Sequence, residues 1–275
     1  MSRSMIQAAV TMNQLQQKMD LIGNNLSNSQ TTGYKSGQAE FSSLLTQQIN
    51  NMTHPANAEG RLTPDGIRVG SGARLGTVKS DFSAGVQSET GRALDVALNG
   101  DKLFFQIQVT DNGATYTQYT RDGAFYLQPF GNNGEVMLVT NEGHPVLGQG
   151  GPIIIQDGFD HLKIQDNGNI VVYRGNETEV AGTLAIVETD YPYLFEAAGN
   201  NRFRLPNLAE LGYAPEEVIT QVEGLDMLTS ESLETSNVDV SKEMTDLLSV
   251  QRAYQMNARS ITMGDQMMGL INQLR

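Results

Sequence analysis

The sequence predicts an α+β protein: long N- and C-terminal helices forming a coiled-coil domain, with a central all-β domain of short meandering strands. Three observations lead there. Apolar residues recur at alternating steps of three and four at both ends of the chain, the spacing of one face of a helix. The middle replaces that period with short alternating runs, broken by Gly, Asn and Asp clusters that suit tight turns. Composition shifts at the same places, the ends being rich in Met, Leu, Gln and Ala and the middle in Gly, Asp, Asn and Val.

Residues 1–35 form the first element. Met5, Ala8, Met12, Leu15, Met19, Ile22 and Leu26 make a heptad seam, and Gly23-Asn24-Asn25-Leu26-Ser27-Asn28 ends the helix. Residues 36–85 read as an extended connector with one hairpin, because large apolar residues are sparse there. The β domain is expected over 86–226. Its candidate strands are 94–98, 103–109, 116–120, 124–128, 136–140, 153–156, 162–165, 170–173 and 183–188. Turn clusters at 111–113, 121–123, 131–134 and 166–169 supply the positive φ that short hairpins require.

Residues 227–275 return to the helical period, now on two lines. Val240, Met244, Leu247, Gln251, Tyr254, Ala258 and Ile261 lie on one; Met256, Ser260, Met263, Met267, Leu270 and Leu274 lie on the other. Ser236-Asn237-Val238-Asp239 precedes the period, and Glu243 falls where negative charge favours a helix N-terminus, so the helix is expected to begin near Val238. A helix apolar on two sides needs two partners. Met5, Met12, Leu15, Met19, Ile22 and Leu26 are expected to close against Met244, Leu247, Tyr254 and Ile261. Met256, Met263, Met267, Leu270 and Leu274 are then left to face neighbouring copies. Pairing of the two helices within a monomer alone leaves at least one apolar stripe uncovered, and an uncovered stripe marks an association surface. A stripe that meets a different surface on the next copy generates rings or helical filaments.

The rest of the composition excludes more than it assigns. The net charge of −13 makes nucleic acid and anionic membranes poor partners. That charge sits in the middle, since Arg3, Lys18 and Lys35 outnumber Asp20 and the last helix balances its charges. With no cysteine, thiol catalysis, cysteine-type zinc and iron–sulfur clusters are out. No run approaches the ~20 apolar residues of a spanning helix, so direct membrane insertion is not expected. No secretory leader is recognisable around residues 5–10. His54, His144 and His161 lack metal-ligand spacing and read as surface residues. Residues 166–169 lack the order of a calcium loop, and the glycines of 69–76 lack the Lys-Ser/Thr and βαβ setting of a phosphate loop. No serine sits in a Gly-x-Ser-x-Gly elbow. No catalytic residue, metal site or cofactor is therefore assigned, and the chain is not expected to be an enzyme. Outside an assembly role, a monomeric β-rich binding module and a hydrolase built on an unrecognised carboxylate pair remain as alternatives.

Several segments carry a family resemblance. Asn24-Asn25-Leu26-Ser27-Asn28, followed by Thr32-Gly33-Tyr34-Lys35, resembles the N-terminal signature of the bacterial flagellar basal-body rod and hook proteins. Leu233-Glu234-Thr235-Ser236-Asn237-Val238 and Gln251-Arg252-Ala253-Tyr254 resemble the C-terminal one, and residues 91–100 and 119–125 follow the central pattern. Within the family, residues 62–74 look most like the distal-rod branch, with a proximal-rod or hook-type subunit as runner-up. Residues 183–206 depart from the pattern, Glu188-Thr189-Asp190-Tyr191-Pro192-Tyr193-Leu194 replacing the usual Asn-Pro-x-Gly-Leu-like motif. The resemblance implies a structural subunit that leaves the cytoplasm unfolded through the flagellar export apparatus, without a cleaved signal. It also implies assembly with itself and with other rod and hook proteins, the terminal helices lining the inner tube and the β domain outside, so that torque passes to the hook.

Overall fold

The computed structural model describes residues 3–39, 41–43, 46–49, 67–70, 73–111, 113–131, 134–208, 212–222 and 227–273. They form two compact units: Met1–Leu26 with Gly37–Lys79 and Val240–Arg275, and Ser27–Ser36 with Ser80–Asp239. Segments 27–35 and 227–239, read from the sequence with the terminal helices, thus group with the β strands, as does Ser36 from the connector.

In the helical unit, the N-terminal helix spans Arg3–Ser27 and the C-terminal helix Val240–Gln273. They run antiparallel, because Asn25 Nδ2 donates to Glu243 Oε1 (3.1 Å) near one end while Gly264 lies against Met5 near the other. The approach is close: a Cβ at Gly264 would stand 3.0 Å from Met5 Cγ and Sδ, so the Met5 side chain would have to shift. Between these points Leu15, Ile22 and Val250 form a buried cluster, with Met19, Leu247, Ala253 and Tyr254 packed on it.

The N-terminal helix continues through Gly23 and ends only at Ser27. Buried Asn25 holds that last turn, donating to Gly37 O (3.0 Å) and accepting from Gly37 N (2.9 Å) as well as donating to Glu243. The same unit carries an antiparallel ladder in the 36–85 segment, Phe41–Ser43 pairing with Ala73–Leu75 and Thr46–Ile49 with Ile67–Gly70. Residues 51–66 lie outside the described residues, as does Leu274.

The β unit is built on a six-stranded antiparallel sheet ordered Glu196–Gly199, Arg202–Arg204, Ala114–Thr120, Leu103–Asp111, Ile186–Glu188, Thr220–Gln221. Two three-stranded antiparallel sheets accompany it: Tyr126–Phe130, Glu135–Val139 and Ile154–Gln156, the last reached after the hairpin Leu147–Gly148/Gly151–Pro152; then the meander His161–Ile164, Asn169–Arg174 and Glu177–Thr183. Strand 103–111 alternates apolar Leu103, Phe105, Ile107 and Val109 with Gln106, Gln108 and Thr110, but buries Phe104 on the second face as well. Phe105 enters the main core with Val96, Ile107, Phe125, Leu138 and Ile170. Its neighbour Phe104 points the other way, into an aromatic cluster with Phe82, Tyr119, Phe195 and Phe203, as the two-residue period of a strand demands. In that cluster Phe104 stacks on Phe195 at 4.8 Å, and Phe82 meets Phe203 edge-on at 5.0 Å. The chain returning toward the last helix adds two short pairings, Leu228–Ser230 on Val96–Leu98 and Ser232–Glu234 on Gln87–Glu89.

Candidate functional site

Two places hold the residues singled out from the sequence. The first is a buried ionic junction inside the β unit. Lys35, Arg121 and Glu234 have essentially no exposed side-chain surface. Glu234 Oε1 accepts from Lys35 Nζ at 2.7 Å and from Gly85 N at 2.8 Å, and Oε2 accepts from Arg121 Nε at 2.9 Å. Arg121 donates further to the carbonyls of Gly100, Asp101 and Leu103, and Lys35 to that of Ser83. Every charge is thus both paired and hydrogen-bonded, which is what a buried ion cluster needs to be tolerated. Burial, then the adjacent Arg121, pulls the Lys35 ammonium below the usual lysine value against the opposing pull of Glu234.

The backbone conforms to this junction. Gly33 N donates to Glu234 O at 2.8 Å, and Gly33 has φ +64°, where a Cβ would come within 2.6 Å of Asp122 N. Glycine is therefore dictated by both conformation and space. Thr32 Oγ1 donates to Asp122 Oδ1 at 3.0 Å. Burial pushes the Asp122 carboxyl above the usual aspartate value; the Asp95 charge adds to this, while the bonds from Ala124 N and Thr32 oppose it. Asn237 completes the knot, accepting from Ser36 N (2.8 Å) and donating to Asp81 O (2.8 Å). Asn28 Oδ1 accepts from Thr31 Oγ1 at 3.2 Å in the turn after the helix, and Val238 N donates to Ser236 Oγ. Signature residues Thr32, Gly33, Lys35 and Asn237 therefore meet, while Tyr34 is half-buried nearby and Asn24 is exposed on the helix. Arg121 and Glu234 lie within segments that carry the family resemblance, but the sequence assigned them no pairing. The available signal was that Lys35 is the one charge in residues 21–39, and a lone charge in an uncharged run asks for a partner.

The second place is the C-terminal helix. Its covered side steps through Glu243, Leu247, Val250, Tyr254, Asn257, Ile261 and Gly264, all buried or half-buried. Leu247, Tyr254 and Ile261 lie on this line as well as on the one drawn from the sequence. Met244 does not: it is 50% exposed, and Gln251 is exposed too. Steps of three and four fit either line, and the pairing selects the one whose alternate members lie one residue earlier, giving Val250 in place of Gln251. Facing away are Met256 (69% exposed), Met263 (57%), Met267 (64%) and Leu270 (60%). On the partner helix Met5, Leu15 and Ile22 are buried, whereas Met12, Met19 and Leu26 are half-buried. Of the remaining signature positions, Arg252 is exposed and Ala253 half-buried.

Among the described residues, no helix is long and apolar enough to cross a membrane, and no three His, Asp or Glu side chains are grouped to share a metal ion. The α+β chain thus combines an exposed apolar helix face with a β unit tied together by signature residues. Comparison with known sequences places such a chain. Residues 7–35 match the family described as "Flagella basal body rod protein", 97–172 the "Flagellar hook protein FlgE/F/G D1 domain", and 229–274 the "Flagellar basal body rod FlgEFG protein C-terminal". The chain is 40% identical over 282 residues to the flagellar hook-basal body complex protein FlhP of Bacillus subtilis, with both chains fully covered. It is 34% identical to the flagellar basal-body rod protein FlgG of Borreliella burgdorferi, covering 100% of this chain and 99% of that one. To FlgG of Bacillus subtilis it is 32% identical, covering 98% and 97%. The chain belongs to the flagellar hook and basal-body rod family.

Proposed function

We propose that this chain is a structural subunit of the flagellar basal-body rod that assembles helically with further copies of itself through its terminal helices, and transmits torque to the hook by side-chain packing. The observation that carries the reading is the stripe Met256, Met263, Met267 and Leu270, exposed on the side of the C-terminal helix away from its partner. Each such side chain buried in an assembly contributes roughly 1.5–3 kcal/mol. A contiguous apolar helix face left in water is costly, and packing it against a neighbour both stabilises the array and resists twist. Leu15, Met19, Ile22, Leu247, Val250 and Tyr254 keep the two helices together so that they present one rigid face. The reading includes neighbouring rod and hook proteins as partners and residence in the basal body. It also includes passage through the flagellar export apparatus without a cleaved signal, as the resemblance implies.

The test is a Met263→Asp, Met267→Asp double variant of the full chain. Self-association and incorporation into basal bodies should fall sharply while helix content by circular dichroism stays at the parental level. Unimpaired incorporation of a folded double variant would refute the proposal.

A further inference from the structure

The helical unit offers both halves of a heterologous contact. One half is the exposed stripe, which also contains two exposed arginines: Arg252, Met256, Arg259, Met263, Met267 and Leu270 recur at three- and four-residue steps on one side of the helix. Neither guanidinium is ion-paired among the described residues. The other half is a groove of about 450 Å³ between the two helices, lined by Met12, Tyr254 and Ile261 with Asn13, Gln16 and Asp20, and carrying a single formal charge, that of Asp20. At 100° per residue, Tyr254 and Ile261 lie on roughly the opposite side of the helix from Met256 and Met263. Stripe and groove therefore cannot meet within one molecule.

We propose that the groove receives the arginine–methionine stripe of a second copy of this chain. This rests on the assembly reading above and specifies its register. Charge is complementary: the stripe is cationic and the groove anionic, whereas two stripes packed in parallel register would set Arg252 and Arg259 against their own copies. Spacing is complementary as well. Arg252 and Arg259 are seven residues apart, as are Asp20 and Asn13, and seven residues are two turns, about 10.5 Å. With the incoming helix parallel to the resident C-terminal helix, Arg252 reaches Asp20 and Arg259 reaches Asn13. Met256 then lies over Gln16, beside Met12 and Tyr254.

The register also fixes a stagger. Within one chain Asn25 faces Glu243 and Met5 faces Gly264, so Asp20 is level with Leu248. A docked Arg252 is four residues further on, an offset of about 6 Å along the axis. Two different faces joined with an axial offset grow as an open helix rather than a closed ring.

Charge reversal in the full chain tests this. Asp20→Arg alone and Arg252→Asp alone should each raise the concentration needed for self-association, followed by light scattering at low salt, about tenfold or more, in the range of a lost charge pair. A mixture of the two variants should associate at the parental concentration, because each stripe then finds an opposite charge in the other variant's groove. As the chain has no cysteine, mixed Gln16→Cys and Met256→Cys molecules should give a disulfide-linked heterodimer on oxidation, in excess of either homodimer. Parental-like association of both charge variants, a mixture that stays apart, or homodimers alone would overturn the groove while leaving assembly through other faces intact. A parental chain that shows no self-association at any concentration would remove the assembly reading itself.

Discussion

In the β unit, the strand at 103–111 buries Phe104 on one face and Phe105 on the other, both with no exposed surface, and even its charged junction is sealed. In the helical unit, a 34-residue helix has Val250 as its one buried apolar residue among those described, with Met244, Leu248, Met256, Met263, Met267, Leu270 and Ile271 each at least half exposed. The first is a module whose sequence satisfies itself. The second leaves an apolar surplus exposed, which the proposed assembly would cover with another copy. If the proposed assembly holds, the same chain combines a part that is packed within itself with a part whose order depends on concentration through mass action.

The strongest way to break that contrast is to remove Glu234. Glu234→Ala leaves Lys35 and Arg121 as buried cations without a carboxylate, and breaking a buried pair in this way costs about 3–5 kcal/mol. The loss should appear in urea unfolding of the full chain and as faster amide exchange at residues 33–36 and 83–85, which Glu234 and Lys35 tie together. Glu234→Gln keeps an acceptor for Gly85 N and should cost less. If Glu234→Ala were as stable as the parent, the junction would be dispensable and the β unit would owe its integrity to its apolar core alone.

A smaller effect is expected on the helical side. Leu15→Ala empties part of a cluster whose buried members among the described residues are Leu15, Ile22 and Val250. Such truncations cost about 2–5 kcal/mol, here close to the low end because the site is near the surface of a helix pair and can collapse. Hydrogen exchange should show both helices losing protection while the aromatic cluster around Phe104 keeps its own. Equal loosening of both units would show that they unfold together, and the contrast between them would fail.

The same contrast explains what the sequence made legible. Alternation along strand 103–111 and the steps of three and four in the N-terminal helix are local consequences of burial, so both were readable. Strand 177–183, whose residues Glu177, Thr178, Glu179 and Val180 are exposed, carried no such alternation and was missed. The pairing of 87–89 with 232–234 was missed for another reason: it joins segments far apart in sequence, with Glu89 meeting Ser232 and Gln87 meeting Glu234. In the last helix, periodicity drew a line through Met244, Leu247, Gln251, Tyr254 and Ile261; Leu247, Tyr254 and Ile261 are half-buried, whereas Met244 and Gln251 are exposed. Only the partner helix decides between Met244 and Glu243, because Asn25 hydrogen-bonds to the latter. The ionic junction is likewise a property of five segments meeting, at 35, 83–85, 100–103, 121 and 234, which no window of sequence contains.

The mildest prediction concerns Asp122, which links signature residue Thr32 to the β unit. Its folded value is raised, chiefly by burial, so the folded chain holds this proton more firmly than the unfolded chain does. A group of that kind contributes its stability fully below the usual aspartate value and loses it as pH rises through the raised folded value. Asp122→Asn retains an Oδ1 acceptor for Thr32 and Ala124 but cannot ionise. The stability difference between variant and parent should therefore move in the variant's favour as pH climbs through that window and become constant above it, in urea titrations taken at successive pH values. Thr32→Val removes a bond that favours the ionised carboxyl and should extend the window to higher pH. A difference that is flat throughout would mean that the carboxyl is solvated in the folded chain, and that the contact between residues 27–36 and the strand end at Asp122 is looser than the sealed junction beside it.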